Sequence, residues 1–133
     1  MTVGGAKKKP ARERLRRYRR GRFSEWLAVL LLTAKGYRVL ARRVRTPVGE
    51  IDIVALRRRR LAFVEVKRRD SFESALLAVT PRQRTRIMRA SEVWLRRHPG
   101  YRECERTFDL VLLAKNRWPR HLRDVIEAMA NPV

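Results

Sequence analysis

Asp52, Glu65 and Lys67 stand inside segments that otherwise read as packed β-strands, in the stretch GEIDIVALRRRRLAFVEVKRR spanning 49–69. Carboxylates held at close range repel, and one takes up a proton unless a cation neutralises both. A divalent metal meets that need, and oxygen donors with no nearby His or Cys favour Mg2+ or Mn2+ over zinc. Lys67, two residues beyond Glu65, would hold an attacking water or stabilise charge developing on phosphorus. Glu25 would complete the metal shell if its helix packs over the same sheet face. The competing reading is a cross-strand ion-pair cluster in which Lys67 and neighbouring arginines only neutralise the two acids. A Glu-x-Lys triplet is too short to exclude it, although an apolar setting is a poor place for an ion cluster without a task.

The elements that must position these groups are legible. Side chains alternate along a strand, so Glu50, Asp52 and Val54 share one face of a strand over 50–56, with Ile51, Ile53 and Ala55 on the other. In a strand over 61–67, Leu61, Phe63, Glu65 and Lys67 share a face. A hairpin closing at Arg57, Arg58, Arg59 and Arg60 brings Asp52 and Glu65 to similar distances from the turn, hence next to each other. Upstream, Phe23, Trp26, Leu27, Leu30, Leu31 and Ala34 recur at helical spacing over 23–35, and Gly36 supplies a left-handed stop. A first strand over 37–45 follows.

Thr80 and Pro81 form an N-cap and first-turn proline for a helix to about Arg97, with Ile87, Ala90, Ser91 and Trp94 on its core face. Its opposite face, with Arg82, Arg86, Arg89, Arg96 and Arg97, is either a solvated surface or a ridge that tracks phosphates. A fourth strand covers 107–113, and Leu122, Val125, Ile126 and Met129 predict a closing helix over 121–129. The long connection through the second helix lets the fourth strand lie parallel to the third. The fold class is α/β, a mixed β-sheet flanked by helices.

Charge points to the partner. The 133 residues carry 34 Lys and Arg against 13 Asp and Glu, a formal net charge of +21. Such a field attracts polyanions, so nucleic acid leads, with an anionic membrane surface a distant second and plain solubility the bland alternative. Residues 1–22 read as a basic flexible N-terminal arm, of which 12–20 could become helical on a phosphate surface, and 23–133 as one domain. Cys104 is alone, which excludes an internal disulfide and suits the cytoplasm. The longest apolar run, Trp26–Leu32, is too short for a membrane span, and no hydrophobic signal segment follows the basic N-terminus. A homodimer is compatible with this composition. His98 and His121 read as capping or surface residues, Asp109 as a buried hydrogen-bonding group or a supporting one. Trp118, among Lys115, Arg117 and Arg120, reads as a packing residue or as a stacking platform for an unpaired base.

GEIDIVA, then FVEVKRR, preceded by GRFSEWLAVLLLTAKGYRVLARRVRTPVGEID, resembles the bacterial YraN-like family, from about Gly21 to Leu113. That family is related to the restriction-endonuclease-like PD-(D/E)XK nucleases and the archaeal Holliday-junction resolvases. The resemblance implies a restriction-endonuclease-like mixed sheet, with metal held at the positions of Asp52, Glu65 and Glu25, and a water-assisting lysine at Lys67. It implies a DNA endonuclease dependent on Mg2+ or Mn2+, acting on branched or structured DNA; the alternative is a non-catalytic nucleic-acid-binding protein that keeps the fold. Arg57 to Arg60, Arg82, Gln83 and Arg86 are the expected nucleic-acid contacts. Two positions depart from the family pattern: Gln83 stands where a lysine is often found, and Thr107 where an arginine commonly precedes the Phe-Asp matched here by Phe108 and Asp109.

Overall fold

The computed structural model describes residues 8–126. The elements run α1 (Lys8–Ala34), β1 (Arg38–Thr46), β2 (Gly49–Arg57), β3 (Arg60–Arg69), α2 (Phe72–Leu77), α3 (Pro81–Arg97), a short 3-10 turn (Pro99–Tyr101), β4 (Glu105–Ala114) and β5 (Arg120–Leu122). The five strands form one sheet in chain order. β3 and β4 are parallel and the other neighbours antiparallel, as the lengths of the connections require.

The sheet is covered on both faces. Val54, Leu61, Phe63, Phe108, Leu110 and Leu112 pack with Ala75 of α2 and Ile87, Ala90 and Trp94 of α3. Ile53, Ala55, Ala62, Val64, Val111 and Leu113 pack with Ala28 and Leu32 of α1. Phe63 is fully buried, with the Trp94 ring edge-on and the Phe108 ring stacked. α3 opens with a capping box: the Thr80 hydroxyl accepts from the Gln83 N–H, and the Gln83 side chain accepts from the Thr80 N–H.

Four expectations need correction. The helix expected from Phe23 begins at Lys8, so the backbone has no break at residue 22. Arg, Lys, Leu and Ala are good helix formers, Pro10 falls in the tolerant first turn, and Gly21 alone weakens the interior. The buried face of α1 is also rotated: Ser24, Glu25, Ala28 and Leu32 face inward, while Phe23, Trp26 and Leu30 are more than half exposed. Residues 26–32 are apolar almost all round, so periodicity allowed two faces, and the small Ser24 and Ala28 permit the closer approach to the sheet. The closing helix expected from His121 is replaced at its start by β5, which pairs antiparallel with Leu110–Leu112 of β4. That pairing satisfies the backbone of β4, and positions 127–129 lie outside the described residues. Finally, His121 is a buried residue, its side chain 1% exposed, rather than a surface or capping group.

Candidate active site

The site is built at a fork in the sheet. β2 pairs with β3 from Arg57 back to Ile53, opposite Val64, and then leaves it. From Ile51 to Gly49 it pairs only with β1, as a two-stranded ribbon whose tip lies on α3. At that tip a Cβ on Gly49 would come within 3.0 Å of the Arg86 Cβ and carbonyl oxygen. Departure of β2 would orphan the next N–H of β3, and Asp52 fills the gap: its Oδ2 accepts from the Val66 N–H at 2.8 Å. Across the ribbon, the ladder between Arg42–Ile53 and Val44–Ile51 is interrupted at Arg43, whose φ is 51°. Left-handed backbone at a non-glycine residue is costly and is kept only where surroundings enforce it.

Asp52 and Glu65 lie within electrostatic reach of each other, and burial pushes the Asp52 carboxyl above its ordinary range. Glu65 is pushed up to about 8, by burial first and by the Asp52 carboxylate second, with Lys67 opposing. Lys67 Nζ sits 3.3 Å from Glu65 Oε1, each side chain only 12% exposed. Glu25 acts on Asp52 through space from α1, the helix that covers the Ile53 and Val64 face of the sheet. Its carboxylate is engaged: Arg43 Nε lies 2.6 Å from one oxygen and Arg42 Nε 3.6 Å from the other. Among the described residues no three acids, imidazoles or thiols converge closely enough to hold one ion. Asp52 and Glu65 are thus a pair with Glu25 standing by.

Asp52, Lys67 and Glu25 line one cleft of about 1040 Å³. Among the described residues, seven basic side chains line it (Arg17, Arg43, Arg45, Lys67, Arg68, Arg69 and Lys115) together with four carboxylates. Ser24 lines it too, and its buried Oγ has no hydrogen-bond partner among the described residues. The residues fit a hard divalent cation: two buried oxygen donors that resist ionising side by side are the groups such a charge would relieve. Ser24 and Arg43 escaped sequence reasoning, and Lys115 was read only beside Trp118, since no spacing rule links them to Asp52.

The expected nucleic-acid contacts divide. Arg57 to Arg60 form the hairpin end, five residues from Asp52 and so about 17 Å away. Arg57 lies over the Tyr37 ring, 6.0 Å from its centroid. Arg82 and Arg86 are exposed one helical turn apart on α3, and Gln83 is held in the cap. None of these seven lines the cleft.

A second buried network closes the sheet on the α1 side. His121 Nε2 lies 2.7 Å from Asp109 Oδ2, and the Asp124 N–H donates to Asp109 Oδ1 at 2.9 Å. His121 Nδ1 faces Lys35 Nζ. The two imidazole nitrogens thus bridge the Lys35 amino group and the Asp109 carboxyl. Burial, with Arg123 adding, pulls the Lys35 ammonium below its usual value.

The fold and this cleft define an α/β protein whose mixed sheet opens at one fork onto a carboxylate–lysine group within a basic rim. The model of the family described as Uncharacterised protein family UPF0102 matches residues 24–113, and the chain belongs to that family, the same one its sequence resembles under the name YraN. The chain is 51% identical over 126 residues to a UPF0102 protein of Bradyrhizobium diazoefficiens, covering 94% of this chain and 95% of that one. It is 49% identical over 124 residues to a UPF0102 protein of Bradyrhizobium sp. strain ORS 278, covering 90% and 88%. It is 50% identical over 115 residues to a UPF0102 protein of Nitrobacter winogradskyi, covering 86% and 98%. No described helix is long and apolar enough to cross a membrane.

Proposed function

We propose that this protein is a metal-dependent endonuclease that hydrolyses phosphodiester bonds in DNA, with branched or otherwise structured DNA as the favoured form. The observation that carries this reading is the largely buried Asp52–Glu65 pair beside Lys67, with Asp52 and Lys67 lining a cleft rimmed by cations. Carboxylates alone would repel a polyanion, and basic groups alone would bind it without cutting it. Asp52 and Glu65, joined by Glu25 on its release from Arg43, would hold Mg2+ or Mn2+, which supplies Lewis-acid polarisation of the phosphate.

In the hydrolysis a water oxygen bonds to phosphorus, one P–O ester bond breaks, and a water proton ends on the departing oxygen. Lys67, oriented by Glu65, holds the water in line and offsets charge growing on phosphorus. Arg43, Arg68 and Lys115 hold flanking phosphates.

The test is cleavage of duplex, single-stranded and four-way-junction DNA with Mg2+, Mn2+ or chelator, with Lys67→Ala as control. Metal-dependent cutting that Lys67→Ala abolishes supports the reading. Binding without cutting under every metal condition would replace it with a non-catalytic nucleic-acid-binding protein, the reading favoured by the Glu25–Arg43 ion pair.

A further inference from the structure

Beside the cleft lies a second cavity of about 420 Å³, between α1 and the segment that joins β4 to β5. Its walls carry an exposed aromatic ring on each of those two elements. Phe23 of α1 is 57% exposed and Trp118 is 90% exposed, the most exposed of the large apolar side chains described. Leaving an indole in water is unfavourable by its large apolar area, and among the described residues nothing covers it. The segment has a defined shape: the Arg117 N–H donates to the Ala114 carbonyl at 3.3 Å, and Asn116 turns the chain with a φ of 60°. Basic side chains complete the cavity, Arg68, Lys115 and Arg117, and the first two of these also line the carboxylate cleft. A strand whose phosphate occupies the cleft therefore has a continuous cationic path into the cavity.

We infer that this cavity takes an unpaired nucleotide of the bound strand, its base stacked on Trp118 and its phosphates on Lys115 and Arg117. The inference rests on the reading of the cleft as a phosphodiester site and adds to it a substrate class: DNA with unpaired nucleotides next to the bond that is cut. A paired base is already stacked in its duplex and cannot offer a face to Trp118, so the cavity selects for ends, flaps and branch points. Aromatic cavities between cations bind single strands in this way, with little regard for sequence.

The test measures binding in chelator, so that it is independent of cleavage, using full-length protein at fixed salt. The probes are a blunt DNA duplex and the same duplex with a three-nucleotide single-stranded extension, its first unpaired base 2-aminopurine. Trp118→Ala is expected to weaken binding to the extended duplex about tenfold or more, to leave the blunt duplex within about twofold, and to abolish quenching of the 2-aminopurine. Trp118→Phe should keep most of the preference. Because binding is read in chelator, a failed cleavage assay leaves the stacking result standing. Equal losses on both duplexes, no loss on either, or unquenched 2-aminopurine with the unsubstituted protein would each overturn the inference. Unchanged thermal unfolding of Trp118→Ala, expected for so exposed a residue, guards against misfolding.

Discussion

The carboxylate of Asp52 accepts the backbone N–H of Val66 at 2.8 Å, standing in for the ladder carbonyl that β2 would have supplied had it continued beside β3. One side chain thus both ends a strand pairing and presents an acid to the cleft. The two tasks separate by substitution. Asp52→Ala leaves the Val66 N–H without its acceptor and should lower stability by about 1–3 kcal/mol. Asp52→Asn retains an acceptor oxygen and removes a buried charge, so its urea midpoint should match or exceed the unsubstituted protein while cleavage is lost. A fully stable Asp52→Ala would show that the fork does not need this bond.

Stability of the metal-free protein should depend on pH through Glu65. Its pKa in the folded chain is raised to about 8, above the ordinary glutamate value of 4.5. Between these values the folded state holds a proton that the unfolded state has released, so the contribution is complete below about 4.5 and is lost as pH rises to about 8. The slope is at most about 1.4 kcal/mol per pH unit for one proton. Asp52, also raised, acts in the same direction. Urea unfolding in chelator from pH 5 to 8.5 should show the decline, and Glu65→Gln should flatten it. Mg2+ should raise the midpoint more at pH 8 than at pH 5.5; an equal effect at both would argue against binding at this pair.

The Asp109–His121 pair ties β5 to β4. Asp109 is fully buried and accepts from His121 and from the Asp124 backbone, so Asp109→Ala strands two donors. The expected loss is about 3 kcal/mol or more, whereas Asp109→Asn, which keeps an acceptor, should cost less. Hydrogen exchange at Leu110 to Leu112, the residues paired with β5, should accelerate in the alanine variant before exchange in β2 does.

The basic N-terminal region can be tested without damaging the cleft. Arg17 and Tyr18 line the cleft, so removal of residues 1–16 spares its wall while deleting six Lys and Arg. Affinity for DNA should fall to a similar degree on two unrelated duplexes. The log-log salt slope should become shallower by roughly 0.9 for each deleted side chain that contacts phosphate. An unchanged slope would assign that charge to something other than DNA.

The sequence by itself determined the first four strands, their hairpin and parallel pairings, the capped α3, and the nearness of Asp52, Glu65 and Lys67. Each follows from a local rule: alternation with period two, connection length, or the side chain that satisfies a helix N-terminus. Only the tertiary structure decided which face of α1 meets the sheet, because residues 26–32 are apolar around most of the helix and the closest approach, through Ser24 and Ala28, selects the face. That choice brings Glu25 to the fork and leaves Phe23 beside the Trp118 cavity. Tertiary packing likewise set Arg43 against Glu25, buried His121 against Asp109 and drew Arg120–Leu122 into the sheet. These are pairings between residues distant in sequence, and no periodicity within one segment records where another segment will pack.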